Sequence, residues 1–183
     1  QDLRKRSARI GIITEATHNL IKDMESAVHD WDASRKHEVT VALAAVQIDE
    51  LYRVVIVRDN FEHESPATYK ALINPEITKC DGWIKRDFEG CLSIRSVYGM
   101  VPRYERVRIR ALNERGKEVK IKASGFLARV LQHEIDHTNG KVFIDRIKGD
   151  KEAFYKLNDE GKLVPLDYDK EIRGNPVLWG KAT

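Results

Sequence analysis

The chain has 183 residues, 42% apolar and 33% charged, with 32 lysines and arginines against 29 aspartates and glutamates for a net charge of +3. A chain of this length hides roughly two thirds of the surface its unfolded form exposes, so it folds without disulfides or metals, and a metal site here would serve function. The near-balanced charge argues against a reader of nucleic-acid sequence, and the longest apolar run, Val41 to Val46, is far short of the roughly 18 to 20 residues that cross a bilayer.

The basic start, Gln1 to Arg6, leads into no apolar segment of the secretory kind, and Cys80 and Cys91 read as free thiols. Both point to a cytoplasmic protein of bacterial type, with organellar or viral origin left open. Leu20, Ile21, Met24, Ala27, Val28 and Trp31 recur at three- and four-residue steps and predict an amphipathic helix from about Thr14 to Trp31. After the polar stretch Asp32 to Glu38, the apolar run ends at Gln47, and the β-branched Leu51 to Val57 predicts a strand. Ala71 to Ile73 predicts another, closed by Asn74-Pro75. Val107, Ile109 and Ala111 alternate with arginines, and Val119 and Ile121 alternate with charged residues beyond the turn at 113–116, the pattern of an antiparallel hairpin with one wet face. The period then lengthens: Phe126, Leu127, Val130, Leu131 and Ile135 predict a helix from about Gly125 to Thr138. The fold class expected is α+β, antiparallel strands packed around this helix, with residues 1–183 one domain and 148–183 a surface-wrapping C-terminal segment.

That helix carries His133-Glu134-Ile135-Asp136-His137, an H-E-x-x-H. Two imidazoles one turn apart can reach a single metal ion, with Glu134 beside them as proton acceptor. Catalytic sites of this kind need a third protein ligand. No histidine follows His137, which leaves Cys91 in Glu89-Gly90-Cys91-Leu92-Ser93 upstream, or tail carboxylates such as Glu152 and Glu160. A Cys-His-His set suits Fe2+, Zn2+, Co2+ or Ni2+. Gln47, closing Thr40 to Gln47, can present an amide donor to a developing oxyanion. Glu89 and Asp136 are candidates to accept the outer N–H of a ligating imidazole.

Taken together, Thr40 to Gln47, Glu89 to Ser93 and His133 to His137 resemble the three ordered motifs of the peptide deformylase family, G-x-G-x-A-A-x-Q, E-G-C-x-S and H-E-x-D-H. The likeness extends from about Leu3 through Ile147 and departs where Thr40 and Ala42 replace the two glycines. The resemblance implies a metal-dependent hydrolase that removes the N-formyl group from the initiator methionine of nascent polypeptides. It implies Cys91, His133 and His137 as ligands, Fe2+ as the ion, and Glu134, Gln47 and the backbone N–H of Leu92 as the catalytic groups. Val41, Ala42, Tyr98, Phe126 and Val130 are the residues expected along the substrate. The partners expected are N-formylmethionyl peptides and, transiently, the ribosome, with no membrane. Two other readings compete: an H-E-x-x-H metallopeptidase, and a deformylase-like binding protein weakened by Thr40 and Ala42.

Overall fold

The computed structural model describes residues 3–34, 39–59 and 67–179. Gln1 and Asp2 of the basic start and residues 35–38 of the polar stretch lie outside them. Helix α1 (Glu15–Ser34) is followed by strands β1 (Ala42–Ala44), β2 (Val54–Arg58), β3 (Tyr69–Cys91), β4 (Ile94–Leu112) and β5 (Glu118–Ser124). Helix α2 (Gly125–Thr138), strands β6 (Phe154–Leu157) and β7 (Leu163–Pro165) and a last turn, α3 (Pro176–Trp179), complete the chain. The sheet runs β1-β2-β3-β4-β6-β7, with β5 paired to β4, and every strand pair is antiparallel. The architecture is therefore α+β, as the grouped strands predicted.

The helices define two apolar clusters, divided by β1 and β2. Ala42, Ala44, Val55 and Val57 join the cluster that holds Leu131 and Ile135 of α2. Leu43, Val54 and Ile56 face the other way, toward Leu20, Ile21, Met24 and Val28 of α1. Burial on both faces explains why Val41 to Val46 shows no alternation. The predicted hairpin is present, with Val107 opposite Ala123, Ile109 opposite Ile121 and Ala111 opposite Val119. From Ser124 the chain enters α2 directly, and Gly125 makes that turn at φ 58°, a left-handed conformation that costs glycine little.

Two sequence expectations are corrected. Asn74-Pro75 does not end a strand, because β3 continues to Cys91 and the pair sits in a register shift between Ile73 and Glu76. Asn74 adopts φ 53° there and binds Ile10 twice: its Nδ2 donates to the Ile10 carbonyl (2.7 Å) and its Oδ1 accepts from the Ile10 N–H (2.9 Å). An irregular strand can hold a proline at such a bulge, so the local signal for an ending was also the signal for a kink. The C-terminal segment does more than wrap the surface. Phe154 is fully buried, Ile172 and Leu178 nearly so, and β6 pairs with β4 at Tyr98 and Gly99. These apolar residues lie too far apart in the chain to produce a periodic signal. Among the described residues no helix is long and apolar enough to cross a membrane.

Candidate active site

Cys91 is the last residue of β3, opposite Ile94 across the tight turn Leu92-Ser93. His133 and His137 stand one turn apart on α2, whose closing turns are buried almost all round: Gln132, Glu134, Ile135, Asp136, His137 and Thr138 are all buried. The fold thus brings the end of a long strand against the buried end of a helix. One donor atom from each of Cys91, His133 and His137 lies within 4.8 Å of the others. Cys91 Sγ is 3.4 Å from His137 Nε2, which is 3.1 Å from His133 Nε2. Ligands at metal–nitrogen and metal–sulfur distances of about 2.0 to 2.3 Å leave edges of about 3.3 to 3.6 Å between donors. Three lone pairs converging in this way are satisfied together by one divalent cation, and the soft and borderline donors fit such an ion.

The groups around the ligands are themselves fixed. His133 Nδ1 meets Glu89 Oε2 at 3.0 Å. Arg103 donates to both Glu89 oxygens (2.9 Å each), and Arg129 Nη1 donates to Oε1 (2.6 Å). Arg103 also donates to Asp136 Oδ2 (2.5 Å), and Arg146 donates through Nε to the same oxygen and through Nη2 to Oδ1, at 2.6 Å each. Glu89 therefore orients an imidazole, whereas Asp136 contacts neither ring and acts by holding Arg103. Arg129 and Arg146 were not singled out in the sequence, although Arg129, one turn before His133, is a charged residue on an otherwise buried helix face.

Electrostatics follow from this packing. Burial alone would raise the Glu89 carboxyl, but His133 and Arg103 hold it far below the usual carboxylate range. Burial would likewise raise the Cys91 thiol, and the two histidines bring it well below its ordinary value. His133 is the counterpart: burial lowers it, yet Cys91 and Glu89 push it up to about 10 in the metal-free chain. Glu134 is raised chiefly by its own burial, and its Oε2 has no hydrogen-bond partner among the described residues.

A cavity of about 230 Å³ opens over these groups, lined by Gln47, Cys91, Leu92, His133 and Glu134. Gln47 is aimed: its Oε1 accepts from the Ala44 N–H (2.9 Å), which turns its Nε2 toward Ser93 Oγ (3.3 Å) and Cys91 Sγ (3.8 Å). Val41, Ala42, Phe126 and Val130 line the same cavity. Tyr98 does not. Its ring packs on Gly90, where a Cβ would come within 2.9 Å of it, and it borders a separate cavity behind the cysteine turn. Thr40, which stands where the resemblance expects glycine, also lines the cleft, as does Phe88, which carried no signal of its own in the sequence.

Residues 1–153 match the family model described as polypeptide deformylase. A peptide deformylase of Thermomicrobium roseum is 42% identical over 161 residues, 86% of each chain. Among solved structures, a peptide deformylase from Legionella pneumophila superposes with a TM-score of 0.69 at 35% identity, covering 79% of both chains. One from Synechococcus elongatus, in complex with actinonin, gives 0.69 at 32% identity over 79% of this chain and 74% of its own.

Proposed function

This chain belongs to the peptide deformylase family, and from that premise we propose how its own residues carry out the reaction, the removal of the N-formyl group from the initiator methionine of nascent polypeptides with release of formate. The observation that carries the assignment of residues is the convergence of Cys91, His133 and His137 beneath a cavity lined by Glu134, Gln47 and Leu92.

Cys91, His133 and His137 would hold a divalent ion, which would supply Lewis acidity and so lower the pKa of a water toward neutrality. Glu134 accepts the proton of the attacking water through its unpartnered oxygen and returns it to the departing amine. The Gln47 amide, oriented by Ala44, and the backbone N–H of Leu92 donate to the oxyanion. Phe126, Val130, Val41 and Ala42 give the methionine side chain an apolar bed. Glu89, clamped by Arg103 and Arg129, keeps His133 Nε2 facing the ion. The ion we assign is Fe2+, which this Cys-His-His set accepts alongside Zn2+, Co2+ and Ni2+.

Formate release from a formyl-methionyl tripeptide by anaerobically iron-loaded protein tests this reading. Glu134→Ala should lose on the order of 10²- to 10⁴-fold in turnover while retaining the ion, and Cys91→Ser should lose most of the ion. Parental turnover in the first variant, or full metal content in the second, would overturn the roles given to these residues. Cleavage of unformylated peptides at comparable rate would favour the metallopeptidase instead.

Contact with the ribosome is the finer reading of its partners. Its support is a row of like charges across three strands, Lys79 opposite Arg108 opposite Lys122, on the face of the sheet away from the buried Val107 and Ile109. Like charges directly opposed disfavour a sheet unless an anion lies against them. Co-sedimentation with ribosomes should weaken steeply with salt and fall further in Arg108→Glu; salt-independent pelleting would refute it.

A further inference from the structure

Between Glu89, paired with Gly99, and Cys91, paired with Ile94, strand β3 has one residue, Gly90, while β4 has Arg95, Ser96, Val97 and Tyr98. The surplus residues bulge out beside the cysteine turn, with Ser96 in the left-handed region at φ 63°. The bulge separates two further cavities. One, of about 230 Å³, shares Gln47 and Leu92 with the cleft and runs beneath Ala27, Val28 and Trp31 of α1. The other, of about 440 Å³, shares Gly90, Cys91 and Leu92 with it.

Arg95 lines both cavities, and among the described residues no other lysine, arginine, aspartate or glutamate lines either. It is exposed and makes no ion pair or side-chain hydrogen bond among the described residues. Most other cations near the site are consumed: Arg103, Arg129 and Arg146 are bound to Glu89 and Asp136. A cavity wall bearing charge of a single sign raises the local concentration of the opposite one, and a guanidinium fork matches the geometry of a carboxylate.

We propose that Arg95 forms a carboxylate-recognising subsite for the residues that follow formyl-methionine, so that this enzyme favours chains with aspartate or glutamate at the second or third position. The inference rests on the deformylase reading above. A substrate with its formyl end at Glu134 and its chain leaving past Leu92 carries those residues alongside the bulge, and alternate side chains of an extended peptide fall on the same side. Ser93 and Ser96 offer hydroxyl donors next to the guanidinium. The carboxylate recognised is that of a side chain, because a nascent chain has no free end at this distance from its start.

The experiment compares iron-loaded holoenzyme on C-terminally amidated formyl-Met-Ala-Asp and formyl-Met-Ala-Asn, on the matching second-position pair, and on formyl-Met-Ala-Ala as amide and as free acid. An exposed charge pair predicts an advantage of about threefold for the acidic member of at least one pair, expressed in KM and shrinking as salt rises. In Arg95→Gln that ratio should fall to about one, and in Arg95→Glu a lysine-bearing peptide should become the better substrate. Equal rates on acidic and amide members in the parent, or a ratio unmoved in Arg95→Gln, would overturn the subsite. A preference confined to the free acid would show that Arg95 reads chain ends and would equally overturn the assignment to nascent chains. If no formyl peptide released formate, the deformylase reading would fall first and this one with it.

Discussion

Thr40 is held from two sides at a position where the resemblance expects glycine. Its N–H and hydroxyl both donate to Asp32 Oδ1, at 2.9 and 2.7 Å, and the Tyr69 hydroxyl donates to its carbonyl at 2.9 Å. The Thr40 hydroxyl is thus engaged by the end of α1. Burial, with the charge of Asp32 adding to it, pushes the Tyr69 phenol from 10.0 up to about 12. A group whose folded value is raised contributes stability that is whole below its unfolded value and is lost as pH climbs through the folded one. The parent should therefore lose stability between about pH 10 and 12, and Tyr69→Phe should flatten that loss in urea midpoints taken across the range. Equal slopes in the two proteins would separate Tyr69 from the effect. At this scale the gathering of Cys91, His133 and His137, with Glu134 beside them in the cleft, was legible, because metal chemistry admits few residue types and helical spacing is fixed. Arg129 was not, since its partner Glu89 is 40 residues away and no local pattern joins them.

Helix α2 is anchored to the sheet by charge as much as by apolar contact. Glu89 and Arg103 on the strands are 5% and 1% exposed, and Asp136 on the helix is 6% exposed. Removing one member of such a buried set leaves uncompensated charge, which typically costs about 3 to 5 kcal/mol. Arg103→Met should destabilise the protein by that order in urea unfolding and lower its affinity for the ion, because His133 loses the clamp on Glu89. A loss under about 1 kcal/mol would mean that the network is incidental. Glu89 and Asp136 are held below their ordinary values although burial opposes this. Their contribution is present above the unfolded carboxylate range and is lost as pH falls through the depressed folded values. Acid unfolding of Arg103→Met should accordingly begin at higher pH than in the parent. The bounds of α2 and the β4/β5 hairpin were readable from periodicity alone. The length of β3 was not, because a bulge and an ending look alike over a few residues.

At the scale of the molecule, the α+β class and the antiparallel sheet followed from strands grouped before a helix. The place of the C-terminal segment did not, since Phe154, Leu166, Ile172 and Leu178, widely spaced in the chain, bury against a core assembled elsewhere. The residues proposed to hold the ion, Cys91 on β3 and two histidines on α2, are brought together only in the folded chain. A ligand with no affinity for the unfolded chain adds about 2.7 kcal/mol at a hundredfold excess over its Kd. Thermal midpoints should rise with metal concentration and fall on chelation. Because the ion must displace the proton that His133 holds up to about pH 10, affinity should increase with pH. A pH-independent affinity in calorimetric titrations would point to other ligands.

The order in which the chain is made gives the separation of the ligands a further meaning. Synthesis delivers Cys91 well before His133 and His137, and the strand that backs Gly99, β6, comes later still. A growing copy therefore gathers the three donors only once α2 has been made and has packed against the end of β3.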